Sequence, residues 1–294
     1  MAIKQTRRDF LKLAGSAGIV FSTGLYRSSD VFAGNPADEF YFVQFTDTHH
    51  GFNKAKINPD PVGGLNRAID KVNQLKHKPD FVIFTGDLTH TTDNEDERRK
   101  RMREFSKIVS RLEVNTIRYI PGEHDAALDF GEAYSEIFGE TYYTFKHKGI
   151  QFIAIDNVSD PRGSVGSRQL AWLDKTLADI KKDQPIVIFA HRPLFALYPQ
   201  WDWTTADGEQ VLSRFADYQH VTVFYGHIHQ EHHHKTGHIV HHSSKSLIFP
   251  LPAPGSAPKR KPLAWDNRHP YRGLGIRDVE AYGAKLELDE LEIG

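Results

Sequence analysis

Cysteine is absent from all 294 residues. That excludes a disulfide framework, thiolate catalysis and Cys-ligated zinc or iron-sulfur centres, leaving His and carboxylates as the strong metal ligands. Charge of one sign is lacking too. With 37 Lys+Arg against 38 Asp+Glu the formal net charge is -1, so no strong field marks a partner, and binding to a nucleic-acid duplex is not expected. Long hydrophobic runs are missing as well. The mildly apolar stretch from Leu13 to Leu25 falls short of the ~20 residues that span a bilayer and is broken by Gly15, Ser16, Gly18, Ser22 and Gly24, which predicts no stable membrane span in the mature form. No internal repeat or coiled-coil heptad is evident.

What is present begins with Thr6-Arg7-Arg8-Asp9-Phe10-Leu11-Lys12, followed by that apolar stretch and by Val31-Phe32-Ala33, close to an Ala-x-Ala cleavage pattern. The three regions in this order resemble a twin-arginine signal peptide over residues 1–33. This implies recognition by the twin-arginine export machinery and delivery to the periplasm or otherwise out of the cytoplasm. Such systems move folded proteins, so a metal site could be filled before export. The signal holds five basic and two acidic residues, which leaves residues 34–294 slightly acidic.

Beyond the signal, one grammar recurs. An apolar, β-prone run ends abruptly in a polar turn: Phe40 to Phe45 before Thr46-Asp47-Thr48-His49-His50, Phe81 to Phe84 before Thr85-Gly86-Asp87, and Thr116 to Ile120 before Pro121-Gly122-Glu123-His124-Asp125. Ile186 to Phe189 precedes Ala190-His191-Arg192-Pro193, and Val221 to Tyr225 precedes Gly226-His227-Ile228-His229. Helix-like segments lie between them, near Val62 to His77, Asp93 to Leu112, Asp129 to Phe138, Ser167 to Lys182 and Asp207 to Tyr218, several opening on an Asp or Ser that suits an N-cap. The alternation is largely βαβ. Polar turns at the carboxyl ends of strands in open α/β sheets gather in one crevice, so residues from Asp47 to His229 must meet in a single domain. Tyr142 to His147 with Ile150 to Ile155, and Glu231 to Lys235 with His238 to His242, read as hairpins that suggest a second sheet, and a closing strand is predicted near Lys285 to Ile293.

In this order, Asp47-x-His49, Gly86-Asp87, Gly122-Glu123-His124-Asp125, His191 and Gly226-His227-x-His229 resemble the signature of the calcineurin-like metallophosphoesterase superfamily. The likeness is nearest its phosphodiesterase-like branch. It implies a four-layer α/β/β/α sandwich of two mixed sheets flanked by helices, and a metal-dependent hydrolase of phosphate esters. It also implies two divalent or mixed-valence ions (Fe, Mn or Zn), one held by Asp47, His49, Asp87 and His229, the other by Asp87, Glu123, His191 and His227. A hydroxide bridging the ions would be the nucleophile, while His124, oriented by Asp125, would assist the leaving alkoxide or stabilise phosphoryl charge. An exported phosphomonoesterase, or a metal-binding protein without catalysis, are the alternative readings. The purple acid phosphatase type has a tyrosine three residues after the bridging Asp, where this chain has His90.

Several residues stay open. Glu123 stands where the family most often has Asn; it either coordinates or hydrogen-bonds a neighbouring ligand. Each short motif alone is compatible with an ordinary strand-end turn. Among the 17 His, six crowd into the hairpin from His232 to His242. A zinc patch is conceivable there, but alternate positions on a strand face opposite sides, which favours incidental histidines. His50 fits the ligand pattern less well than His49. Phe195, Tyr198, Trp201 and Trp203 either wall a pocket or plug a loop. Lys259, Arg260, Lys261, Arg268 and Arg272 read as a solvated loop more readily than as phosphate ligands.

Overall fold

A computed structural model of the chain describes residues 39–294; the signal-peptide reading of residues 1–33 lies outside the described residues. Strand β1 (Glu39–Phe45) shows how alternation builds the layers. Phe40 and Phe42 join one apolar cluster while Tyr41, Val43 and Phe45 join another, because successive side chains leave opposite faces of a strand. Strand β2 (Phe81–Thr85) repeats this, with Phe81 and Ile83 inward and Val82 and Phe84 outward.

Helix α1 (Gly63–Asn73) covers the outer face with Leu65, Ala68, Ile69 and Val72, a single apolar stripe at helical spacing. Helix α2 (Glu95–Val109) adds Met102, Phe105 and Val109. It starts two residues after the predicted Asp93, because Asn94 is the cap: its side chain accepts from the Glu97 amide at 2.8 Å. Strand β3 (Ile117–Ile120), the one-turn helix α3 (Glu123–Ala126) and helix α4 (Glu132–Phe138) complete the first half.

The second half holds β4 (Tyr143–His147), β5 (Ile150–Ala154), α5 (Gly166–Ala178), β6 (Ile186–Phe189), α6 (Gly208–Ser213), β7 (Val221–Tyr225), β8 (His232–Thr236) and β9 (Ile239–Ser243). Then β10 (Gly275–Tyr282) and β11 (Lys285–Glu292) return to the first sheet. The sheets run β11-β10-β1-β2-β3 and β4-β5-β6-β7-β9-β8. In each the central strands are parallel and antiparallel hairpin strands close the edge.

Between the sheets lies an aromatic core: Phe42 and Phe81 stack at 4.8 Å, and Phe42 meets Phe152, Phe189 and Phe224 edge-on. Leu170, Leu173 and Leu177 of α5 and Val211 and Leu212 of α6 cover the far face of the second sheet. The order helix, sheet, sheet, helix is the four-layer α/β/β/α sandwich expected. Two predictions need correction. Strand β10 was not anticipated, because its run carries Arg277 and Asp278, yet both are buried; Arg277 is compensated by Glu290 at 3.0 Å. Asp207 does not cap α6: its carboxylate instead accepts the Val165 and Gly166 amides, at 2.8 Å each, at the start of α5. No helix of the described residues is long and apolar enough to cross a membrane.

Candidate metal centre

All five polar turns meet at the carboxyl tips of β1, β2, β3, β6 and β7. They are laced by backbone bonds: the Asp47 amide donates to Gly86 O (3.1 Å), the His49 amide to Asp87 O (2.9 Å), and the Gly226 amide to His191 O (3.0 Å). Gln44 ties the sheets just beneath, donating to Thr85 Oγ1 and to Tyr225 O. Two glycines permit the close approach. Gly86 has φ +94°, and a Cβ there would lie 2.2 Å from His191 Nδ1. A Cβ on Gly226 would lie 2.0 Å from Thr46 Oγ1 and 2.9 Å from Asp47 Oδ2.

Among the described residues His49, His90 and His124 bring their donor atoms within 4.8 Å of one another, and two ligand clusters that include carboxylates do the same: Asp47, His49, Asp87 and His229; and Asp87, Glu123, His191 and His227. Asp87 belongs to both. Its Oδ2 lies 3.4 Å from His49 Nε2 and its Oδ1 3.5 Å from His191 Nε2. His229 Nε2 is 3.4 Å from Asp47 Oδ1 and 3.2 Å from His49 Nε2. Glu123 spans two imidazoles, with Oε1 at 2.9 Å from His227 Nδ1 and Oε2 at 2.9 Å from His191 Nε2.

The far nitrogens fix which lone pairs face inward. His191 Nδ1 donates to Thr85 O (2.7 Å), His229 Nδ1 to Phe249 O (2.8 Å) and His227 Nε2 to Asp202 O (3.0 Å). A carbonyl only accepts, so these contacts place the hydrogen of each neutral ring on its far nitrogen and leave the inward nitrogen as the one that would bind a cation, the arrangement that orients histidine ligands. Arg260 Nη1 lies 3.2 Å from the same His227 Nε2. His191 Nε2 and Glu123 Oε2 are buried without a hydrogen-bond partner. Buried polar atoms of hard and borderline donor type left without a partner are what a pair of cations would satisfy, so the residues present fit a dinuclear centre.

The electrostatics agree. Burial and the Glu123 carboxylate push Asp87 upward, but the imidazoles of His191, His124 and His49 outweigh them and hold it ionised well below the usual range. Burial opposes protonation of His191, yet Asp87 and Glu123 prevail and lift it well above an ordinary imidazole. His49 is held well below, chiefly by burial.

Asp125 does not orient His124. Its carboxylate accepts the amides of Gly122, Leu88 and Thr89 and the Thr89 hydroxyl, all at 2.8–2.9 Å, and so clasps the turn after β2 to the turn after β3. Burial, with the nearby Asp87 carboxylate, pushes Asp125 up to about 6. The geometric reason is α3: one helical turn places Asp125 behind His124, facing the protein. His124 Nδ1 is met instead by Thr91, through its amide (3.1 Å) and hydroxyl (2.6 Å), leaving Nε2 4.0 Å from Asp87 Oδ2. Sequence reasoning also passed over Asn157, whose Oδ1 accepts the His191 and Arg192 amides. Thr91, His90 and Asn157 are common residue types outside the motifs, so nothing in the sequence distinguishes them.

Phe195, Trp201 and Trp203 are buried with Phe52 and Phe249, a plug rather than a pocket wall. In the hairpin, His232, His234 and His241 lie near Phe195 while His233 and His242 pair on the other side; among the described residues none of them joins a ligand cluster. His50 faces Glu104, at 3.2 Å. Of the basic residues in the Pro-rich loop, Arg260 reaches the cluster, at His227.

The family model of calcineurin-like phosphoesterases matches residues 40–231. The chain belongs to this family and is a metallophosphoesterase. Among its relatives is the mouse serine/threonine-protein phosphatase CPPED1, 27% identical over 207 residues that cover 62% of this chain and 66% of that protein. Another, from Arcobacter nitrofigilis, described as a probable glycerophosphodiester phosphodiesterase GpdQ, is 31% identical over 164 residues, 51% of this chain and 56% of that one. The matched stretches thus span no more than two thirds of these relatives. In structure the fold is similar to a dimetal phosphatase from Danio rerio, with a TM-score of 0.60 at 13% identity over 87% of this chain and 96% of that one. It is also similar to the purple acid phosphatase PPD1 of yellow lupin, with a TM-score of 0.62 at 16% identity over 87% and 52%.

Proposed function

We propose that this metallophosphoesterase is a phosphodiesterase working outside the cytoplasm on a dinuclear centre. Asp47, His49, Asp87 and His229 hold one ion, and Asp87, Glu123, His191 and His227 hold the other. The observation that carries the reading is the membership of Asp87 in both ligand clusters. When bound, the ions supply Lewis-acid polarisation of the phosphoryl group and an activated water. The chain's own contribution is orientation: carbonyls of Thr85, Asp202 and Phe249 aim three imidazoles, and the His124 amide donates to Asp87 Oδ1 at 3.0 Å, steadying the shared ligand. His124 directs Nε2–H toward the reacting phosphate, where it hydrogen-bonds a developing negative oxygen.

Diester preference is supported by the Arcobacter relative's description, and monoester hydrolysis, the second reading, by that of the mouse phosphatase. Arg7-Arg8 and the apolar stretch behind them support export by the twin-arginine machinery to the periplasm, with residues 34–294 as the catalytic domain. The test is elemental analysis of the purified protein alongside turnover of bis(p-nitrophenyl) phosphate and p-nitrophenyl phosphate. Two metals per chain and faster diester turnover, both lost in Asp87→Asn, are expected. Faster monoester turnover would reverse the preference, and metal binding without hydrolysis of either would end the reading.

A further inference from the structure

Immediately after the Gly86-Asp87 turn, His90 and Thr91 stand behind two different site histidines. His90 Nδ1 lies 3.3 Å from His49 Nδ1. Thr91 meets His124 Nδ1 with its amide and its hydroxyl. The His90 and His124 rings also stack, at 4.9 Å and 23°, and Phe52 closes the other side of His90 edge-on.

These contacts impose opposite hydrogen placements. His49 turns Nε2 toward Asp87 and His229, so the lone pair of a metal ligand belongs on Nε2 and the hydrogen on Nδ1, where His90 Nδ1 accepts it. A backbone amide can only donate, so the Thr91 N–H makes His124 Nδ1 an acceptor and places the hydrogen on Nε2, facing the centre. We propose that the dipeptide His90-Thr91 is a positioning element that fixes His49 as an Nδ1–H ligand and His124 as an Nε2–H donor. Swapping either tautomer would defeat its ring: His49 would point a hydrogen at the cation site, and His124 a lone pair at an anionic phosphate.

The segment is built to hold this arrangement. The His90 amide donates to His50 O at 2.8 Å. Arg101 Nη1 donates to the carbonyls of His90 (2.8 Å) and Thr91 (3.3 Å), and Arg98 Nη2 to Thr92 O (3.2 Å). Both arginines come from α2, so the helix sets the dipeptide and the dipeptide sets the two imidazoles. A site held this way keeps its geometry without help from substrate.

The inference rests on the ligand and donor roles proposed above, and its test separates the two. Histidine nitrogen-15 shifts in the full chain, read without metal and with zinc alone, should assign Nδ1–H to His49 and Nε2–H to His124. His90→Phe keeps a ring in the stack but removes the acceptor; it should weaken zinc binding about 10–100-fold, with kcat at saturating zinc within about threefold of wild type, and His90→Gln should recover the affinity. Thr91→Val should lower kcat about tenfold, the low end for loss of an outer hydrogen-bond partner, with zinc affinity unchanged, and Thr91→Ser should recover it. The opposite tautomer on either histidine, or both variants changing zinc affinity and kcat alike, would overturn the inference. A wild type with these tautomers and this zinc binding but no hydrolysis would support the positioning role and sink the phosphoesterase reading instead.

Discussion

His191 Nε2 and Glu123 Oε2 face one another at 2.9 Å, buried, in a geometry that makes no hydrogen bond. A proton and a cation compete for that place. Because Asp87 and Glu123 prevail over burial and raise His191 well above the ordinary imidazole range, the metal-free protein carries a proton there at neutral pH. Metal uptake must release it. Zinc affinity should therefore climb about tenfold per pH unit through neutrality, as measured by competition with a chromogenic chelator. A flat profile would show that no proton leaves with binding.

Glu123 also touches His227, at 2.9 Å, so it faces two imidazoles of the second cluster at once. Glu123→Asn keeps one acceptor and removes the charge. The expected result is loss of one equivalent of metal and about 10–100-fold lower activity, with the first ion retained. Unchanged metal content and turnover would make the residue peripheral.

Gly226, just after β7, lies against the turns that follow β1 and β2. Gly226→Ala would press a methyl against Thr46 Oγ1 and the Asp47 carboxylate. Overpacking of this kind costs about 1–3 kcal/mol, and it should lower the melting temperature by several degrees and weaken metal binding together. A variant that melts and binds like the wild type would mean that the sheets part without cost.

In the His-rich hairpin, His241 is fully buried and neither ring nitrogen has a hydrogen-bond partner. Burial, with His234 and His232 nearby, pushes it down to about 3. Unfolded, it titrates near ~6.5. As the pH falls below that value the unfolded chain binds a proton that the folded chain refuses, so stability is lost at up to about 1.4 kcal/mol per pH unit until about pH 3. His241→Phe should make the urea midpoint less steeply dependent on pH in this window, and parallel wild-type and variant curves would refute the assignment.

Much of this was legible because apolar runs ending in short polar turns encode both strand and site. Ile186–Phe189 and Val221–Tyr225 fall where the pattern puts them, and the seven proposed ligand positions gather in two overlapping clusters. What the pattern missed are long-range polar assignments. Asp125 sits beside His124 in sequence, yet one helical turn aims it at the amides of Leu88 and Thr89, 36 to 37 residues away. Asp207 looks like a cap for the helix it precedes and serves another one. Strand β10 hid because buried Arg277 finds its counter-charge on β11, which alternation in one segment cannot reveal.

Asp47, His49, Asp87, His227 and His229 all adopt left-handed backbone conformations, with φ between 44° and 67°. For residues with a Cβ this costs about 1 kcal/mol each or more, and a straight strand end would send neighbouring side chains to opposite sides. Grafting the seven side chains alone onto extended strand ends of a foreign scaffold would therefore scatter them. A working transplant has to bring the bent turns as well, and with them a penalty that the borrowed scaffold must be sturdy enough to absorb until the ions arrive.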